Sequence, residues 1–164
     1  MKQVIFLFLA LNFIGFSIRC QNLTFKPAFA VILNSSQAKN LLSQCSRSTP
    51  KVKGFWTPTQ NEIDILENNF RSIYTIASEE CCMTGGRVDS LGQYAFQYVG
   101  VIINKQKFIY VNAFRLGELE FFKRHNQDPT KSPIIVCDGG SSYWGALFEV
   151  RILKFSHLAF NGVA

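Results

Sequence analysis

The stretch QYAFQYVGVII (93–103), NKQ (104–106) and KFIYVNAF (107–114) decides the fold class. Tyr94, Phe96 and Tyr98 alternate with Ala95, Gln97 and Val99. Successive strand residues face opposite sides of a sheet, so this period of two marks a strand. A polar turn follows at Asn104-Lys105-Gln106, and aromatic and β-branched residues resume at Lys107. Two such runs around a short polar turn predict a β-hairpin. Further on, residues 115 to 132 are polar and charged and read as a long loop with one helical turn around Glu118 to Lys123. Pro133 to Cys137 reads as a short apolar strand and Asp138-Gly139-Gly140-Ser141-Ser142 as a tight turn. Tyr143 to Val150, interrupted by Gly145, and Phe155 to Phe160 complete the strands.

Upstream of the hairpin the period changes to that of a helix. Thr59 and Glu62 form a capping box just after Pro58. Ile63, Leu66, Phe70, Ile73, Tyr74 and Ala77 then share one face, which predicts one amphipathic helix over 59–78. Ala38, Leu41, Leu42 and Cys45 recur at helical spacing in a shorter segment, with Ser35 or Ser36 available as N-cap. Ser46 to Gly54 is a basic connector containing Pro50. The expected class is α+β, with one long amphipathic helix packed on one face of a four- to five-stranded antiparallel sheet. There is no internal repeat and no low-complexity segment.

The first twenty residues are of another kind. Met1-Lys2 is followed by an apolar run from Val4 to Phe16, broken only by Asn12, and by small residues at Gly15 and Ser17. A charged start, a short apolar run and a small-residue exit make a secretory signal peptide over 1–20, with 21–164 as a single exported α+β domain. A membrane anchor is the rival, but the run is shorter than the ~20 residues a span needs. Cleavage before Ile18 or between Cys20 and Gln21 fits the pattern, whereas Arg19 disfavours a lipidated Cys20. The protein is therefore expected in the periplasm or outside the cell, with no membrane span after processing.

The precursor carries a formal charge of +6, and loss of Lys2 and Arg19 brings it to +4. The cations are scattered along the chain in pairs: Lys51 and Lys53, Lys105 and Lys107, Lys123 and Arg124. Nucleic-acid binding calls for a clustered stripe, so no nucleic-acid partner is expected. A mild preference for acidic surfaces or polymers is compatible with the balance.

Of five cysteines, four remain if Cys20 leaves with the signal: Cys45, Cys81, Cys82 and Cys137. Four cysteines in an oxidising compartment allow two disulfides in three connectivities. Neighbours pair with each other only under strain, so Cys81 and Cys82 are expected to reach different partners. A Cys45–Cys137 bridge is the preferred single pair. Adjacent cysteines have the wrong spacing for zinc, so neither metal nor cofactor is expected.

The sequence from Val136 to Gly145 holds the chemistry-bearing residues. Cys137 or Ser141 with His157 as base would make a small hydrolase, with glycine amides as an anion nest. Turn chemistry alone accounts for Asp-Gly-Gly, because glycine accepts positive φ. The same loop also reads as a binding surface, with Asp138, Ser141, Tyr143 and Trp144 as contact residues and the aromatics exposed at a sheet edge, core packing of at least one being the alternative. Trp56, ahead of the capping box, reads as a core staple at the start of the helix.

The ordered set Gln44-Cys45-Ser46-Arg47, Trp56-Thr57-Pro58, Tyr98-Val99-Gly100, Val136-Cys137-Asp138-Gly139-Gly140 and Phe160-Asn161-Gly162 resembles a group of small exported bacterial proteins of unassigned function. The resemblance spans about residues 40–164 and implies no activity. It adds support to a Cys45–Cys137 pair. Two functions follow as expectations. One is a non-enzymatic exported protein that binds a protein or envelope polymer, as an inhibitor or immunity-type protein does. The other is the Cys137 or Ser141 hydrolase.

Overall fold

The computed structural model describes residues 24–80 and 83–163. The expected signal peptide over 1–20, Cys20 included, and the Cys81-Cys82 pair lie outside the described residues. In chain order the elements are β1 (Ala30–Ile32), α1 (Ser35–Leu41), β2 (Gly54–Trp56), α2 (Gln60–Asn69), β3 (Tyr94–Ile103), β4 (Gln106–Arg115), α3 (Leu119–Arg124), β5 (Tyr143–Glu149) and β6 (Lys154–Phe160). A 3-10 segment, Phe70–Thr75, continues α2.

The central hairpin forms where the alternation predicts it. Its turn is tighter than expected, since Ile103 pairs with Gln106 and leaves only Asn104 and Lys105 between the strands. Both residues have positive φ, 49° and 66°, as a two-residue turn matched to strand twist requires. The sheet has six strands in the order β1-β3-β4-β5-β6, with β2 also on β3. β1 runs parallel to β3 beside Phe96–Tyr98, and β2 runs antiparallel beside Gly100–Ile102. The sheet is thus mixed and six-stranded, which corrects the expected four to five antiparallel strands. β1 and β2 have three residues each, too few for a period to show. Pro133–Cys137 is not a strand. It crosses over the sheet, where Gln97 and Asn112 side chains take up backbone groups of Ile134.

The predicted helix starts at its Thr59 cap, with the Glu62 carboxylate returning to the Thr59 amide at 2.8 Å. It does not run as one α-helix to residue 78. The Asn69 amide donates to the Ile65 carbonyl, Ser72 Oγ to the Asn69 carbonyl and Thr75 Oγ to the Ser72 carbonyl. Short polar side chains bonding back to the main chain tighten the last turns. Three residues per turn keep Phe70 and Ile73 inward and swing Tyr74 out to solvent. Ile63, Leu66, Phe70 and Ile73 pack against Phe96, Tyr98, Val111 and Phe148.

The opposite face is covered as well, where the sequence reading placed a helix on one face only. Ala38 and Leu41 of α1 sit on Val99, Val101, Tyr110 and Leu147. Phe122 of α3 and Ile134 sit on Ala95, Phe114 and Tyr143. Both sets of alternating residues in β3 and β4 are therefore buried. Trp56 belongs to β2 rather than to the start of the helix. It lies over Gly100, where an added Cβ would come within 2.8 Å of the ring, and its Nε1 donates to the carbonyls of Val101 and Phe108 at 3.2 Å.

Candidate functional site

The Asp138–Trp144 turn is built as tertiary scaffold. Cys137 is disulfide-bonded to Cys45, 92 residues away, with 5.0 Å between Cα atoms. Gly139 and Gly140 have φ of 87° and 52°, a region that favours glycine. The Gly140 amide donates to the Gly162 carbonyl at 2.9 Å, and the Asn161 amide to the Tyr143 carbonyl at 3.0 Å. Asn161 Nδ2 donates to the carbonyls of Val136 and Asp138. The turn is thereby laced to the end of β6.

The two expected aromatic contacts are in the core. Tyr143 is 9 % exposed and Trp144 0 %, because β5 lies between β4 and β6 rather than at an edge. Trp144 meets the rings of Tyr94 and Phe96 at 5.6 and 5.9 Å. The Tyr143 hydroxyl bonds to the Glu118 carboxylate. Burial, then that carboxylate, push its phenol well above the usual range. Asp138 and Ser141 remain at the surface. Ser141 accepts from the Tyr94 hydroxyl through its backbone carbonyl at 2.9 Å.

The cysteine version of the hydrolase grouping does not assemble. The Cys137 sulfur is committed to Cys45, so no thiolate stands there. His157 sits at the irregularity between β5 and β6 with φ 53°, its Nδ1 3.1 Å from Ser156 Oγ. It lines a groove with Ile76, Glu79, Glu80 and Phe155. Asp138 and Gly140, the chain neighbours of Cys137 and Ser141, bond to Asn161 and Gly162 just past the other end of β6. Four residues of strand separate the two places, about 13 Å at the rise of a strand. A base must stand within hydrogen-bond reach of its nucleophile.

Arg47, present in the Gln44–Arg47 motif but given no role by sequence, organises the second face. It is 7 % exposed. Its Nη1 donates to Asn161 Oδ1 at 2.6 Å, its Nε to the Tyr110 hydroxyl at 3.3 Å, and its Nη2 to Asn112 Oδ1. Asn112 Nδ2 donates to Gln97 Oε1 at 3.1 Å, and Gln97 Nε2 to the carbonyls of Pro129 and Ser132 at 2.7 and 2.8 Å. This polar line crosses β6, β4 and β3 and binds the 129–134 loop to the sheet. Gly145 makes room for it, since a Cβ there would lie 2.2 Å from the Tyr110 hydroxyl. The available signal was Gln97 and Asn112 in otherwise apolar strands.

On the other face Glu67 of α2 is 8 % exposed and accepts from the Tyr98 hydroxyl at 3.3 Å. Burial raises its carboxyl above the ordinary range, opposed by the Tyr98 bond and by Lys26.

The sheet register gathers cations that are far apart in sequence. The Lys53 amide donates to the Ile102 carbonyl, which brings the Lys51–Lys53 segment beside the β3–β4 turn. Phe108 pairs with Glu149 and Glu149 with Lys154, so the β5–β6 turn lies next to Lys107. Lys51, Lys53, Lys105, Lys107, Arg151 and Lys154 thus share one end of the sheet with two carboxylates, Glu62 and Glu149. Arg151 is 3.8 Å from Glu149, and the five lysines form no ion pair among the described residues. Elsewhere three cations are ion-paired: Arg115 with Asp89, Lys123 with Glu120, Lys131 with Asp128. Lys107 Nζ lies 4.4 Å above the Trp56 ring. Lys105 holds its positive φ of 66° where glycine would suit the turn. No helix of the described residues is long and apolar enough to cross a membrane, and no metal-ligand cluster occurs among them. No protein family, curated relative or solved structure matches this chain, so the chemistry of its own surface carries the functional reading.

Proposed function

We propose that this chain is an exported, non-enzymatic binding protein that engages an acidic partner through the basic end of its sheet. The observation that carries this reading is the register-driven gathering of Lys51, Lys53, Lys105, Lys107, Arg151 and Lys154. A rigid platform of one sign attracts carboxylates or phosphates and speeds their encounter. The disulfide suits an oxidising compartment, and the expected signal peptide suits the same route. This surface takes the place of the Asp138–Trp144 turn, whose aromatics are packed inside.

Titration of the purified protein with soluble polyphosphate, followed by tryptophan fluorescence, tests the reading. Trp56 under Lys107 is the reporter. The expected result is saturable binding that weakens with salt. It should fall at least about tenfold in Lys105→Glu/Lys107→Glu, since each surface cation contributes on the order of 1 kcal/mol toward an anionic surface. Binding indifferent to this charge reversal, or ester or peptide hydrolysis abolished by His157→Ala, overturns it.

A further inference from the structure

We propose that the acidic partner is the surface of an anionic bilayer, with the β5–β6 turn seated in its headgroup layer; this rests on the basic-end reading above. Ile152 and Leu153 stand side by side at the tip of that turn, 48 % and 43 % exposed. Arg151 and Lys154 flank them directly, and Lys105 and Lys107 lie on the neighbouring turn. Leu153 has φ 58°, a left-handed conformation that disfavours a branched side chain and suits glycine or asparagine. An exposed leucine in that conformation serves neither burial nor solubility in water, which points to an environment outside the molecule.

The combination distinguishes a bilayer from a soluble polyanion. A polymer of phosphates needs cations alone. A bilayer surface attracts the cations through its acidic headgroups and accepts apolar side chains at the acyl boundary. From β2 to β6 the platform spans five strand positions, about 19 Å at the usual strand spacing, so several headgroups fit beneath it. The apolar tip lies at one side of this footprint with cations on both sides of it in sequence. No helix enters the proposal; attachment is peripheral.

Co-sedimentation with vesicles of phosphatidylcholine containing one-third phosphatidylglycerol tests it, beside pure phosphatidylcholine vesicles and soluble polyphosphate. The expected result is binding to the mixed vesicles and not to the neutral ones. Ile152→Ser/Leu153→Ser should weaken vesicle binding about tenfold, the loss of two partly buried aliphatic side chains, and leave polyphosphate binding unchanged. These residues are exposed, and an unchanged thermal melt verifies the fold. Polyphosphate binding without vesicle binding rejects the bilayer and keeps the basic-end reading. Vesicle binding that the serine variant retains in full also rejects it, because the apolar tip then has no part. Binding to neither ligand rejects both readings.

Discussion

Glu67 shows how one side chain couples position to acidity. Its carboxyl lies between α2 and β3, where burial disfavours the charged form and raises its pKa from the ordinary value of 4.5. A carboxyl with a higher pKa folded than unfolded holds more protons in the native state between those values. Its contribution therefore favours folding at low pH and is lost as pH rises from about 4.5 through the folded pKa. Glu67→Gln keeps the Tyr98 hydrogen bond and cannot ionise. Denaturant midpoints should show this variant gaining on wild type between pH 4 and pH 7. A constant difference across that range would show that Glu67 titrates alike in the folded and unfolded states, so that burial does not raise its pKa. Arg47 is the contrasting case, a buried cation whose partners are two amide oxygens and a phenol. It is satisfied through hydrogen bonds, which is what burial of such a group requires.

At the level of elements, α2 and its 3-10 extension act as a lid on one face. The capping box begins the helix, and the polar residues Asn69, Ser72 and Thr75 wind up its end. The inward side chains lie on a cluster of rings in which Phe70 and Phe96 are 4.7 Å apart. Leu66 is fully buried in that cluster. Leu66→Ala should cost about 2–5 kcal/mol in urea unfolding, since the rings around it close the cavity only in part. A loss below about 0.5 kcal/mol, the level of a surface change, would mean that the lid does not hold this face. The β3–β4 and β5–β6 turns follow opposite priorities. They are short enough to fix register, yet Lys105 and Leu153 occupy positions where glycine would relieve the backbone. Charge and an apolar tip stand where stability alone would choose other residues.

For the molecule as a whole, the Cys45–Cys137 bridge is the strongest covalent constraint among the described residues. It joins the segment before Arg47 to the segment before the Gly139-Gly140 turn, so it fastens the Arg47–Asn161 end of the polar line over the second face. Closing a 92-residue separation stabilises by about 4–5 kcal/mol on the loop-entropy account. The Cys45→Ala/Cys137→Ala variant should lower the guanidinium midpoint accordingly while leaving the sheet's circular dichroism in place. An unchanged midpoint would show that the second-face loops are held by Arg47 and its partners alone. The same whole-molecule view explains the charge. Outside the basic end the described residues carry nine cations and nine carboxylates, and the excess collects where three turns and strand starts are brought level by hydrogen bonding.

Local order was legible because it follows from covalent geometry. Alternation in Gln93–Phe114 marked the hairpin, Thr59 and Glu62 marked the start of α2, and the preference for Cys45 with Cys137 named the bonded pair. The α+β class followed from those elements. The rest depended on contacts between distant segments. A period of two tells which residues share a face and not whether that face meets solvent, so Trp144 read as an exposed anchor until β6 paired beside it and the core beneath α2 enclosed it. Three-residue strands carry no period, and only their pairing with β3 makes β1 and β2 strands. Asn69, Ser72 and Thr75 tighten the helix end by local back-bonds, and the apolar spacing of Phe70, Ile73 and Tyr74 does not register the change from α to 3-10. Lysines tens of residues apart looked like a dispersed solvated surface, and the inter-strand register alone made them one platform.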